Sequence, residues 1–405
     1  MPTEYSAAAF AAVRLTLMLS LIPCIGCSNT EPARVQKAAL PDVWPVVMSV
    51  NGAANDIVEA HDAALLSDGS LVVAHSGEQE ILWFDRAGRL SRKTGRRGSG
   101  PGEFRGLNSV VVMRGDTILA YDGRLSRLTV LSAAGELVRT QQLQALVPPS
   151  AKLVGRLGLG SLVFLRESIP LPRERKTGVS TDSTSLVVVD TAAKGARDIG
   201  SVPLRSVLVD GVGAGLFVMS SPLPSTASIG VCGDSLLIAF GDTNVLQWRG
   251  TQTDEGKRTV SLALKRVPVT REALDSLLNA SRRGGTTDLT VRARQAVSRH
   301  STELRRPFFS RGALDVDGTV WILLDQLENT GAGQWRNVDA RGNWTDVPPI
   351  PGAGRILQMT RSSVLIHSND ANGLDVFSII SRPVPWPDDR CSNGLPGTAT
   401  AGLVG

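Results

Sequence analysis

One short phrase, repeated six times, constrains this chain more than any other feature. A tight turn is followed by Ser or Thr and then by an apolar run. The copies open at Ser70, Thr117, Ser161, Ser235, Thr319 and Ser363. The first copy reads Ser67-Asp68-Gly69-Ser70-Leu71-Val72-Val73-Ala74, and the fifth reads Val316-Asp317-Gly318-Thr319-Val320-Trp321-Ile322-Leu323. Glycine enters positive φ without steric cost and Asp bonds its own backbone, so Asp-Gly specifies the turn. The β-branched apolar run that follows reads as a buried strand. Each phrase is trailed by a second apolar run, a Gly-containing turn and a further strand, as in Ile81-Leu82-Trp83-Phe84, Arg86-Ala87-Gly88 and Arg89-Leu90.

Spacing turns the phrase into an architecture. The six openers are separated by 47, 44, 74, 84 and 44 residues. Three of these gaps match one four-stranded propeller blade, and the other two are a blade plus an insertion. The expected fold is therefore all-β, a six-bladed β-propeller over residues 43–387 with insertions at 203–227 and 270–306. The sixth unit runs out of strands, because Pro383, Pro385 and Pro387 forbid one. A spare apolar run, Val43-Trp44-Pro45-Val46-Val47-Met48-Ser49-Val50, precedes the first unit and is expected to complete blade six and close the ring. Residues 388–405 are small and polar and are expected to be a disordered tail.

The N-terminus reads as a targeting segment. Arg14 precedes the apolar run Leu15–Ile22, which is too short to span a bilayer but fits the core of a signal peptide. Residues 1–26 resemble a bacterial lipoprotein signal, with Gly26-Cys27 as its cleavage and lipidation point, and residues 27–42 would be the tether. That resemblance implies a lipid-anchored envelope protein, with Ser28 favouring the outer membrane and facing the periplasm or the exterior. Cys24 and Cys27 then belong to processing. Cys232 and Cys391 remain: they can pair in an oxidising compartment, although two separate small residues is the simpler reading.

Charge singles out the second insertion. Thr270 is placed to cap a helix beginning at Arg271, Gly284-Gly285 breaks it, and a second helix is expected from about Asp288 to Arg305. Residues 271–306 carry 8 Arg against 4 acids, most of the net charge of +5 of the whole chain. Arg282, Arg283, Arg292, Arg294 and Arg299 are accordingly the candidate residues for an anionic partner: a protein, an anionic glycan or a lipid headgroup. The modest overall charge gives no reason to expect nucleic acid. The first insertion, with Gly211, Gly213, Gly215, Pro222 and Pro224, reads as a long loop over one face.

Catalytic signatures are sparse. His61, His75, His300 and His367 are the four histidines, and two on equivalent strands fall short of an open zinc site. Asn108, Asp122, Asn244 and Asn369 are of the types that bind calcium but lie in no local motif. No catalytic residue, metal ligand or cofactor is expected, with calcium the one ion left open. The loop Gly98-Ser99-Gly100-Pro101-Gly102-Glu103-Phe104 resembles the inter-blade loop of NHL-type propellers, so the chain resembles a six-bladed lipoprotein of the NHL-like and TolB-like superfamily. Two functions follow: a non-catalytic, monomeric envelope propeller binding a protein or glycan through its loop face, or a metal-dependent hydrolase or lyase of the lactonase or NHL-lyase kind.

Overall fold

The repeated phrase is the turn and second strand of a blade. The computed structural model describes residues 44–382, apart from 148–149, 159, 167–174, 191, 193–194, 212–214, 224, 251–257, 281–287, 316–317, 325–334, 340, 348–349 and 351–353, together with 399–400 and 402–403. Strand β1 (Val46–Asn51) and a helical turn α1 (Gly52–Asn55) come first. Blade 1 is β2 (Ala60–Leu65), β3 (Leu71–His75), β4 (Glu80–Phe84) and β5 (Leu90–Thr94). Blade 2 is β6 (Leu107–Val112), β7 (Ile118–Asp122), β8 (Arg127–Leu131) and β9 (Leu137–Gln142). Blade 3 is β10 (Lys152–Arg156), β11 (Leu162–Arg166), β12 (Gly178–Asp190) and β13 (Gly195–Asp210), widened by β14 (Phe217–Ser220). Blade 4 is β15 (Ala227–Cys232), β16 (Ser235–Phe240), β17 (Val245–Gly250) and β18 (Arg258–Ser261). After helices α2 (Arg271–Ala280) and α3 (Asp288–Arg299), blade 5 is β19 (Arg311–Leu314), β20 (Val320–Leu323), β21 (Trp335–Val338) and β22 (Trp344–Asp346). Blade 6 is β23 (Arg355–Met359), β24 (Ser363–Asn369) and β25 (Asp375–Ser381), with β1 as its outer strand. Within the blades all strand pairings are antiparallel between sequence neighbours, save where β1 returns to β25; two short tail strands add further non-neighbour pairings.

The hydroxyl opener of each phrase matters through its backbone. Leu66 donates to the Ser70 carbonyl at 2.9 Å, Met113 to Thr117 at 2.7 Å and Asp315 to Thr319 at 2.9 Å, closing the inner hairpin each time. Gly69 sits at φ 87°, where a side chain would be strained. Blade 6 has no glycine in this turn. There the Thr360 hydroxyl accepts from the amides of Ser362 and Ser363 instead.

Apolar faces meet between blades, so the core is a series of wedges rather than one centre. Phe104, fully buried, fills the wedge between blades 1 and 2 with Val72, Ile81, Leu107 and Ile118. Its loop is held by Arg127, whose guanidinium donates to the carbonyls of Ser99 and Glu103, and by Glu103, which accepts from Arg96 and the Gly100 amide. Polar side chains of the innermost strands stitch one blade to the next. Asp62 accepts from Val110 N, Ser228 from Gly312 N, and Gln358 from Leu65 N, the last across the ring closure.

Three expectations need correcting. The first insertion is not a long loop: β13 runs on to Asp210 and pairs with the start of β12 and with β14. Alternating Val202, Leu204 and Ser206, continued by the run Val207–Val209, pairs with the β-prone polar stretch Val179–Thr184, so both strands overshoot the blade. The tail is not without structure either. β26 (Ala399–Thr400) pairs with β23, and β27 (Gly402–Leu403) pairs with β15. These are the inner edges of blades 6 and 4, whose unpaired backbone groups face the central channel and need partners. Cys232, at the end of β15, is disulfide-bonded, contrary to its reading as a lone small residue. The other three cysteines, Cys24, Cys27 and Cys391, lie outside the described residues, as do the signal segment and tether.

Candidate functional site

The innermost strand of every blade starts at the same end of the channel. Register places Lys152 opposite Leu165, Arg311 opposite Leu323 and Arg355 opposite His367, equivalent to Ala60 opposite His75 in blade 1. The first residues of these strands therefore form a ring at the channel mouth. Blade 1 supplies His61 and Asp62, blade 2 Asn108, blade 3 Lys152, blade 5 Arg311 and blade 6 Arg355. The Arg355 guanidinium donates to the His61 carbonyl at 3.0 Å, fixing one cation over the joint between blades 6 and 1.

The charges feel one another. Burial raises the Asp62 pKa, with Lys152 and Arg355 pulling the other way. Burial lowers His61, and Lys152 and Arg355 reinforce this, so the ring favours a neutral imidazole. Burial and the neighbouring Arg355 lower Arg311, while Arg355 itself is lowered by burial against the pull of Asp62 and Asp375. Lys152, Arg311 and Arg355 face the carboxylates Asp62, Asp375 and Glu59 there, and the three cations offer an anionic group charged contacts from three blades. This mouth does not fit a dication. Calcium or zinc would meet three positive charges among these carboxylates, and among the described residues no three His, Cys, Asp or Glu side chains gather to hold a metal.

The remaining candidates are occupied locally. His75 accepts the Val58 amide at 3.2 Å, and His367 lies 2.7 Å from Asp375 and stacks on Phe377. Burial raises the Asp375 carboxyl, but hydrogen bonds from His367, the Ala60 amide and Asn369 outweigh it and hold the pKa below its ordinary value. Asn108 donates to Ala151, Asn244 to Leu262 and Leu264, and buried Asp122 accepts the amides of Arg105, Arg124 and Leu125. These side chains are held by nearby backbone within a blade or across one joint, as Asn108 to Ala151 and Asp375 to Ala60, rather than converging on one point.

The helical insertion forms where the sequence places it. Thr270 Oγ1 accepts the Ala273 amide at 3.2 Å, capping α2, and α3 ends at Arg299, six residues before the expected Arg305. Ala296, Val297 and Leu304 pack on Leu208 and Leu223 of the blade 3 extension. The described candidate arginines turn towards that surface. Arg292 lies over Phe217 at 5.2 Å and donates to the Gly215 carbonyl. Arg299 pairs with Asp210 at 2.9 Å, and Arg294 is half-buried. Arg282 and Arg283 lie outside the described residues. His300 completes the dock, lying 3.2 Å from Asp210 and 2.8 Å from Glu303.

A family model, DUF5128, described as a 6-bladed beta-propeller, matches residues 57–187. No curated protein matches the chain. Among solved structures, it is similar to a member of the DUF4221 family from Bacteroides vulgatus, at 11% identity and a TM-score of 0.45, over 82% of this chain and 95% of that one. It is also similar to virginiamycin B lyase from Staphylococcus aureus, at 8% identity and a TM-score of 0.41, over 82% and 98%. A third is regucalcin, a calcium-binding protein from Agrobacterium tumefaciens, at 12% identity and a TM-score of 0.39, over 86% and 99%. None of the three assigns a function at these identities. Sheet order, strand register and the matched description agree on one statement: the chain folds as a six-bladed β-propeller.

Proposed function

We propose that this protein is a non-catalytic propeller of the cell envelope that binds an anionic glycan at the channel mouth. The carrying observation is the convergence there of Lys152, Arg311 and Arg355 from three separate blades. Fixed guanidinium groups suit carboxylates and sulfates, and a rigid ring holds them at constant spacing. The tail strands on the inner edges of blades 4 and 6 support a surface role, since they occupy part of the channel wall.

Affinity electrophoresis through polygalacturonate, with neutral dextran as control, tests this. Retention by the polyanion alone is expected, falling with salt and weakened by K152Q combined with R311Q. Equal mobility in both gels, or retention unchanged in the double variant, would overturn the reading. Export is supported by the signal-like first 26 residues and by the disulfide at Cys232, a bond that persists in oxidising compartments. Lipid attachment at Cys27 is tested by palmitate labelling of growing cells, which should mark the wild type and not C27S. Among the described residues no helix is long and apolar enough to cross a membrane.

A further inference from the structure

Beneath the helical insertion lies a cavity of about 610 Å³ that shares no residue with the channel mouth. Among the described residues, Arg266, Arg271, Arg305 and Arg306 line it, against the carboxylate of Asp275. The decisive residue is Arg306, only 8% exposed. Its Nε is buried without a hydrogen-bond partner among the described residues. A buried N–H donor left without a partner is costly. The other walls hold their arginines in place. Arg266 stacks on Phe308 at 4.5 Å and donates to the Asp242 carbonyl at 2.7 Å. Arg305 donates through one terminal nitrogen to the carbonyls of Thr302 and Leu304.

We infer that this cavity binds a phosphate group carried on an organic body. Several arginines lining one cavity match the oxygens and negative charge of a phosphate ester. The cavity is far larger than a bare ion requires and falls in the range of small-molecule sites. Its remaining walls combine the apolar Val269, Leu274, Val297 and Leu304 with the hydroxyl of Ser301, so the ligand's body has both apolar and hydroxyl-bonding surface. A soluble phosphorylated metabolite and a phospholipid headgroup share this chemistry.

Calorimetric titration of the full chain with inorganic phosphate and glucose 6-phosphate, and flotation with phosphatidylglycerol vesicles, separate the sources. Saturable binding of glucose 6-phosphate, weakened about tenfold or more by R306M, is expected for a soluble ligand, since a charge-assisted contact is worth at least that factor. Flotation lost in R306M supports the same site with a lipid source. Should R306M fail to fold, R271A combined with R305A decides the matter, since both side chains are exposed. No binding of any organic probe, or binding unchanged in these variants, overturns the inference. Binding of inorganic phosphate alone does so too, because it denies the organic body.

Discussion

Arg382 and Asp315 are both shut away from water, and they close the last joint of the ring. The pair is bidentate, at 2.8 and 2.7 Å, and the Arg382 guanidinium also donates to the Thr360 carbonyl. Trp321 Nε1 donates to Asp315 at 2.9 Å. Removing one partner strands the other charge in the interior, so R382M should lose about 3–5 kcal/mol of stability in a chemical denaturation series. D315N strands the Arg382 charge in turn and turns one accepting oxygen into a donor, so it should lose a similar amount. A value under 1 kcal/mol for R382M, roughly that of a surface pair, would deny the clasp its role. Phe104 is the apolar counterpart. Its plugging of the first wedge was legible in the sequence because the loop before it has a distinctive Gly-Pro-Gly turn. F104A should cost about 3–5 kcal/mol by the same assay. The mouth residues were harder to see. Aligning the chain on its phrase places His61, Asn108, Lys152, Arg311 and Arg355 eight or nine positions ahead of the openers Ser70, Thr117, Ser161, Thr319 and Ser363. That alignment was available in the sequence, but only pairing turns a shared offset into a shared place.

Helix α3 docks on β13 through groups that titrate. His300 is held above its ordinary pKa of 6.5, chiefly by Glu303, with burial opposing and Asp210 adding to the effect. Glu303 is held below its ordinary 4.5 by His300 and the Val179 amide. The imidazolium contribution is complete below pH 6.5 and is lost as pH rises through the raised value. The carboxylate contribution is complete above pH 4.5 and is lost as pH falls through the depressed value. Arg299 also pairs with Asp210, at 2.9 Å. Hydrogen exchange in α3 should therefore be slowest between about pH 4.5 and 6.5, after correction for intrinsic rates, and H300Q should flatten the alkaline side. Unchanged protection between pH 6 and 8 in the wild type would exclude the coupling. Helix existence and its Thr270 cap were readable from local residues. Which face docks, and on what, depended on the overshoot of β12 and β13. The disulfide of Cys232 belongs to this scale as well: reduction should lower the midpoint of thermal unfolding, a disulfide being worth about 2–5 kcal/mol in small secreted domains.

Closure is the property of the whole ring. β1 pairs with β25 from Val46 to Asn51, so residues at opposite ends of the propeller complete one sheet. Deleting residues 46–51 exposes the β25 edge and removes Met48 and Val50 from the wedge with Val73 and Leu365. The truncated chain should aggregate or elute as mixed oligomers in size-exclusion chromatography, where the intact chain elutes as one species. The repeated phrase, its spacing and the missing sixth strand together determined blade number, strand order and the need for an N-terminal closing strand, because those follow from local turn chemistry and a period. The convergence of three cations at the mouth, the buried Arg306 beneath the helices and the tail on the inner edges were decided only by tertiary structure. Each arises from residues far apart in the chain, brought together by six copies of a pattern that is itself silent about what lies between them.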